Sequence, residues 1–132
     1  MLQDPNLRQA LAISLGAIAG ALSRYYLTLL FAARFGTNFP YGTFFINVSG
    51  CLGMGFFATL AVEKVAFISP ELRLMVTTGF LGAYTTFSTY GLESLALMRS
   101  GNVLTTTGYW LGSAILGVFC VQLGVIFAKF CR

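Results

Sequence analysis

The stretch Gly79-Phe80-Leu81-Gly82-Ala83-Tyr84-Thr85-Thr86-Phe87-Ser88-Thr89-Tyr90-Gly91 decides the fold. It lies inside an apolar segment, 74–98, long enough to cross a bilayer as a helix. Its middle is nevertheless a poor helix interior. Gly79, Gly82 and Gly91 carry a high backbone-entropy cost, and the hydroxyls of Thr85, Thr86, Ser88 and Thr89 compete for backbone hydrogen bonds. The helix is therefore expected to break between about Gly79 and Thr86. Carbonyls freed at membrane depth must find protein, water or an ion, because lipid offers no partner. Broken transmembrane helices mark ion and substrate sites; a kink repaired by Ser and Thr hydroxyls is the alternative.

Outward from this stretch the chain is almost all membrane. Four apolar segments stand out: 11–33 with the single charge Arg24, 42–62 with none, 74–98 with Glu93, and 103–128 with none. Each exceeds the roughly 20 residues that a helix needs to span the hydrocarbon. The expected fold is an all-α membrane protein, one domain over residues 1–132 with four transmembrane helices, the third broken mid-membrane. The first segment is too long for a signal-peptide core and no small-residue cleavage site follows, so it is read as a mature helix. Gly36, Asn38 and Pro40 punctuate the first connection, Ser69-Pro70-Glu71 the second, and Ser100-Gly101-Asn102 the third.

Composition agrees. Of 132 residues, 57% are apolar and only 9% charged, and mean hydropathy is +0.80. Soluble domains carry about a quarter charged residues. There is no His, which excludes imidazole bases, Ser-His-Asp triads and His-ligated metals, and the chain is not expected to be an enzyme. The net charge of +4 is too dispersed to make a nucleic-acid-binding surface. Cys51, Cys120 and Cys131 are odd in number and lack CxxC spacing, so they read as small apolar residues and not as a disulfide framework.

An even number of spans puts both termini on one side. That side carries Arg8, Lys64, Arg73, Lys129 and Arg132; the other carries Arg34 and Arg99, with Arg24 if it snorkels that way. The bias favours cytoplasmic termini but is modest, and a weak bias permits insertion in both orientations. Small-residue pairs four apart, Gly16 and Gly20, Ser49 and Gly53, Gly108 and Gly112, Ser113 and Gly117, let helices approach closely. They point to an oligomer, with intrachain packing as the bland alternative.

Polar residues within the spans suggest a pathway. Phe87 and Tyr90 share a helix face, Ser88 and Thr89 add hydroxyls, and Glu93 follows one turn on. Ring edges carry positive quadrupole potential and could touch an anion weakly enough to release it. Spacing alone favours ordinary packing for Phe87 and Tyr90. Thr43, Asn47 and Gly50 share one face of the second span, and an amide there can donate two N–H bonds. Thr106 and Ser113 face alike on the fourth span, where bonding to their own helix is an even alternative. Arg24, always charged, could draw anions toward a vestibule.

These residues also match a known family. The chain resembles the Fluc fluoride channels, also called CrcB proteins, from Gly16 to about Gly124. The marks are Gly20-Ala21 with Arg24-Tyr25, then Gly42-Thr43 with Asn47 and Gly50, and above all the 79–89 string with Glu93 after it. The resemblance implies an antiparallel, dual-topology dimer with two fluoride pathways, exporting fluoride passively across a bacterial inner membrane. It implies that Asn47 hydrogen-bonds fluoride and that Phe87 presents a ring edge. Tyr90 falls at the second ring position, where Phe is more typical. Ser88, Thr89 and Thr43 line a polar track, with Glu93 beside it and Ser113 a weaker match. It also implies a central structural Na+ held by the backbone carbonyls of Gly82 and Thr85 from both subunits. The second subunit is another copy or an oppositely oriented paralogue. Two rivals fit less well. A small multidrug transporter needs an acid in its first span, which is absent here. A non-transporting scaffold leaves Asn47 and the hydroxyl-rich third span unexplained.

Overall fold

A computed structural model describes residues 4–63 and 67–131. Lys64 and Arg132, two of the charges counted for orientation, lie outside the described residues. The regular structure among the described residues is all helical, with no strand. Helix α1 is Pro5–Phe35 and α2 is Tyr41–Glu63. The third segment comes in pieces: α3 (Pro70–Leu74), a π-helical stretch Met75–Leu81, the single turn α4 (Gly82–Tyr84), and α5 (Phe87–Arg99). Helix α6, Val103–Phe130, closes the chain.

The boundaries follow local chemistry. Asp4 caps α1 by accepting from the Asn6 N–H at 2.9 Å, with Pro5 preset for the first turn. The helix ends at Gly36, whose φ of 77° L side chains rarely adopt. Ser69 accepts from the Leu72 N–H at 3.2 Å to start α3, and Asn102 accepts from Thr105 at 3.1 Å to start α6, directly after Gly101 at φ 74°.

Three helices, α1, α2 and α6, are each long and apolar enough to cross a membrane. The chain is a multi-pass membrane protein. The third segment crosses no such distance as one helix, because it stops at Thr85 and restarts after Thr86. Both residues are extended, with ψ of 159° and 115°. The expected break is thus present, at the late end of the expected window. Gly79 and Gly82 do not break anything: Gly79 sits in the π-helical stretch and Gly82 has ordinary helical dihedrals. A wide i→i+5 turn is rare and marks functional sites.

The glycines instead permit backbone contact. A Cβ on Gly16 would strike the Met75 carbonyl, one on Gly20 the Phe80 carbonyl, and one on Gly79 the Ile13 carbonyl. So α1 lies directly against the π-helical stretch. Likewise Gly55 meets Val121 and Gly124 meets Leu52, which seats α2 on α6. Gly53, Gly112 and Gly117 also meet neighbours inside the chain, whereas Gly108 faces open space. Most of the small-residue pairs therefore serve the fold of one chain, and they do not by themselves argue for an oligomer.

The interior is thin. Ile46, Tyr109 and Ala128 are fully buried, with Ala61, Leu81 and Tyr84 nearly so. Large apolar side chains face outward on every long helix, as lipid or another subunit requires. Arg8 and Glu71 pair where α1 and α3 begin. Gly36–Tyr41 gather with Ala96, Leu97 and Ser100 around one cleft at the opposite end. The pieces from Pro70 to Arg99 therefore run, together, from one end of α1 to the other. Cys51 and Cys120 are free thiols.

Candidate functional site

The site is built around the break. In a continuous helix the Thr86 N–H would bond the Gly82 carbonyl. Here it donates to Asn47 Oδ1 at 2.8 Å, while Asn47 Nδ2 donates to the Thr86 carbonyl at 3.0 Å. One amide on α2 thus takes up both backbone groups of one residue and leaves the Gly82 carbonyl without its helical donor. The second Nδ2–H of Asn47 remains for another acceptor.

Thr86 then starts α5. Its Oγ accepts from the Thr89 N–H at 3.2 Å and donates to Thr89 Oγ1 at 3.0 Å, with Ser88 Oγ 3.4 Å away. An α5 N-terminus capped this way carries partial positive charge from its unpaired N–H groups. Gly50 makes room for it: a Cβ there would strike the Thr85 methyl. Tyr84, just before the break, shares a hydrogen bond with Ser49 at 2.9 Å and stacks on Phe80. The face Thr43, Asn47, Gly50 expected on α2 is therefore the face that meets the broken segment.

One turn along, a second polar knot joins three helices. Thr43 Oγ1 donates to Glu93 Oε1 and the Tyr109 hydroxyl donates to Glu93 Oε2, each at 2.8 Å. Thr43 and Tyr109 are buried and Glu93 half-buried. The intramembrane acid is thus satisfied by hydroxyl donors and needs no cation. Tyr109 was not among the residues singled out from sequence. Its only signal was one more polar handle on α6 beside Thr105, Thr106 and Thr107, indistinguishable there from an interfacial Tyr. Tyr109→Phe removes one donor from Glu93, and we expect a loss of about 1.5–3 kcal/mol, read as a lower melting temperature in detergent.

Two clefts reach this region. One, about 300 Å³, is lined by Arg24, Thr28, Thr43, Thr86 and Thr89. The other, about 450 Å³, opens at the Gly36–Tyr41 connection and runs in to Thr43 and Glu93. Thr43 and Thr28 line both. The fold thus brings Arg24, Thr43, Thr89, Asn47 and Glu93 together around the start of α5. Phe87 is 85% exposed and Ser88 also faces outward. Tyr90 is tilted between Phe87 and Tyr109, ring centroids 5.8 and 5.0 Å away. Ser113 Oγ is buried with no hydrogen-bond partner among the described residues, which sets it apart from Thr106, whose hydroxyl bonds Asn102 of its own helix start. Gly82 is exposed and Thr85 half-buried.

Few charges, a discontinuous helix held open by an amide, and hydroxyl donors around two clefts define a polytopic membrane protein of the transport class. The chain matches the family described as CrcB-like protein, Camphor Resistance (CrcB), over residues 11–125, and it belongs to that family. It is 60% identical to the fluoride-specific ion channel FluC of Trichormus variabilis over 99% of this chain and 96% of that one. It is 52% identical to the protein of the same name from Synechococcus sp., over 98% of each chain. A third, from Aquifex aeolicus, is 41% identical over 89% of this chain and 94% of its own.

Proposed function

We propose that this protein is a fluoride channel that lets the anion leave a bacterial cytoplasm passively across the inner membrane. It is a conduit and not an enzyme, as its relatives' names also indicate. The observation that carries the reading is the Asn47 clasp on Thr86: it frees N–H donors at the start of α5 beside the cleft that holds Arg24, Thr43 and Thr89.

Fluoride is small and strongly hydrated, so a pathway must replace its water with N–H and O–H donors. The second Asn47 Nδ2–H, the hydroxyls of Ser88 and Thr89, the unpartnered Ser113 Oγ and the edges of Phe87 and Tyr90 supply weak donors in series, while Thr43, whose O–H goes to Glu93, lines the cleft beside them. Weak and multiple sites let an ion enter and leave. Arg24 raises the local anion concentration without gripping the ion, and Glu93 turns its two hydroxyl partners toward itself.

A second subunit completes the arrangement. Phe87 and Gly108 stand open on the chain's exterior, and the two halves of 70–99 serve as the fourth crossing. The modest charge bias suits an antiparallel pair, from two copies or from a copy and an oppositely oriented paralogue, with two pathways along the interface. A central Na+ fits the donors present. The Gly82 carbonyl has lost its helical N–H, Gly82 is exposed, and the Thr85 carbonyl lies in the break. Hard, neutral carbonyl oxygens from two subunits suit an alkali ion, which would stabilise the dimer without adding a titratable group.

The test is fluoride efflux from proteoliposomes holding the folded protein, read with a fluoride electrode. Efflux far above that of empty liposomes is expected; efflux equal to theirs refutes the reading.

A further inference from the structure

We propose that the Tyr90 hydroxyl donates a hydrogen bond to the permeating anion and so sets fluoride preference between the open Phe87 ring and the closed Tyr109–Glu93 pair. This deepens the channel reading above and rests on it.

The rings of Phe87, Tyr90 and Tyr109 form a ladder whose exposure falls from 85% at Phe87 to 0% at Tyr109, with Tyr90 half-buried between them. Several hydroxyls nearby already donate within the chain. Tyr109 and Thr43 donate to Glu93, Tyr84 and Ser49 share one hydrogen bond, and Thr86 donates to Thr89 Oγ1, which leaves the Thr89 O–H itself open. Tyr90 is fixed from its backbone, since Ser94 Oγ donates to its carbonyl at 2.6 Å. Its phenol O–H, by contrast, meets no acceptor among the described residues. If packing were the only need, a phenyl ring would meet it. A phenol in a membrane segment leaves a costly donor unless an acceptor arrives. The Glu93 oxygens accept from Thr43 and Tyr109, and no hydrogen bond joins either of them to the Tyr90 hydroxyl, which stands on the ring ladder where the anion passes. An O–H donor to a compact anion makes a short, charge-assisted bond. Fluoride gains more from it than a larger halide does.

The variant Tyr90→Phe keeps the ring and removes only the donor. In proteoliposomes of the full chain, fluoride flux is measured from low to saturating concentration, chloride flux beside it, and the oligomeric state by size exclusion. The half-saturating fluoride concentration is expected to rise about tenfold, with the fluoride-to-chloride ratio reduced and elution unchanged. Tyr90→Leu, lacking the ring as well, should lose more. An unchanged concentration dependence in Tyr90→Phe beside a conducting wild type overturns the assignment alone. A dissociated variant whose remaining dimers conduct normally also overturns it, because the hydroxyl then serves the subunit interface. A wild type that passes no fluoride refutes the channel reading and this inference with it.

Discussion

Asn47→Asp should reduce fluoride flux about a thousandfold while leaving the protein in the membrane. Two effects act together. The amide donates to the Thr86 carbonyl and accepts from the Thr86 N–H. An ionised carboxylate can still accept but cannot donate, so an oxygen would face the Thr86 carbonyl across about the present 3.0 Å. The start of α5 would then shift away from α2. Independently, the new charge would stand where an anion must pass. Like charges about 4 Å apart at an effective dielectric of about 20 repel by about 4 kcal/mol, which is roughly the thousandfold quoted. Efflux from proteoliposomes measures the loss, and size exclusion shows whether the protein is still folded. Wild-type flux in a folded Asn47→Asp protein would remove Asn47 from both roles.

Gly20→Val should abolish folding more completely than any change in the polar site. A Cβ at Gly20 would enter the Phe80 carbonyl oxygen and crowd its carbon and Cα, all backbone atoms. No side-chain rotation relieves that contact, so α1 must move off the π-helical stretch. Gly16 and Gly79 make the same seam, and they would lose their contacts together with Gly20. Overpacking a flexible core site costs about 1–3 kcal/mol; here rigid backbone takes the strain, and the upper end or beyond is expected. The readout is the yield of monodisperse protein in mild detergent and its melting temperature. Gly91→Val is the control, because among the described residues nothing stands within 4 Å of a Cβ there. A Gly20→Val protein as stable as that control would mean the α1 seam is not closed.

Much of the candidate site was legible in the chain, but not how it is wired. Thr43, Asn47 and Gly50 were readable as one face from helical spacing, and they do form the face against the break. Arg24 was readable as a lone cation, and it does line the cleft. What spacing could not supply was the partner of each polar group. Asn47 and Thr86 are 39 residues apart, and Glu93 and Tyr109 are 16 apart on different helices. The glycines of the third span misled in detail. Gly79 and Gly82 looked like helix breakers, yet Gly79 is needed for contact with α1, and the chain stays helical through both.

By itself the sequence determined the solvent and the coarse path of the chain. Too few charges and too much apolar length leave only a membrane. Gly36, Ser69-Pro70 and Gly101-Asn102 stop and start helices by local bonding and backbone freedom, which need no distant residue. The sequence also determined that the third segment would fail as a helix. Only the tertiary structure decided where. The entropic and hydroxyl penalties are spread over 79–91 with no sharp maximum, so local terms favour no single peptide. Asn47 breaks the tie, since its amide offers a donor and an acceptor at one point in space and Thr86 is the peptide that reaches it.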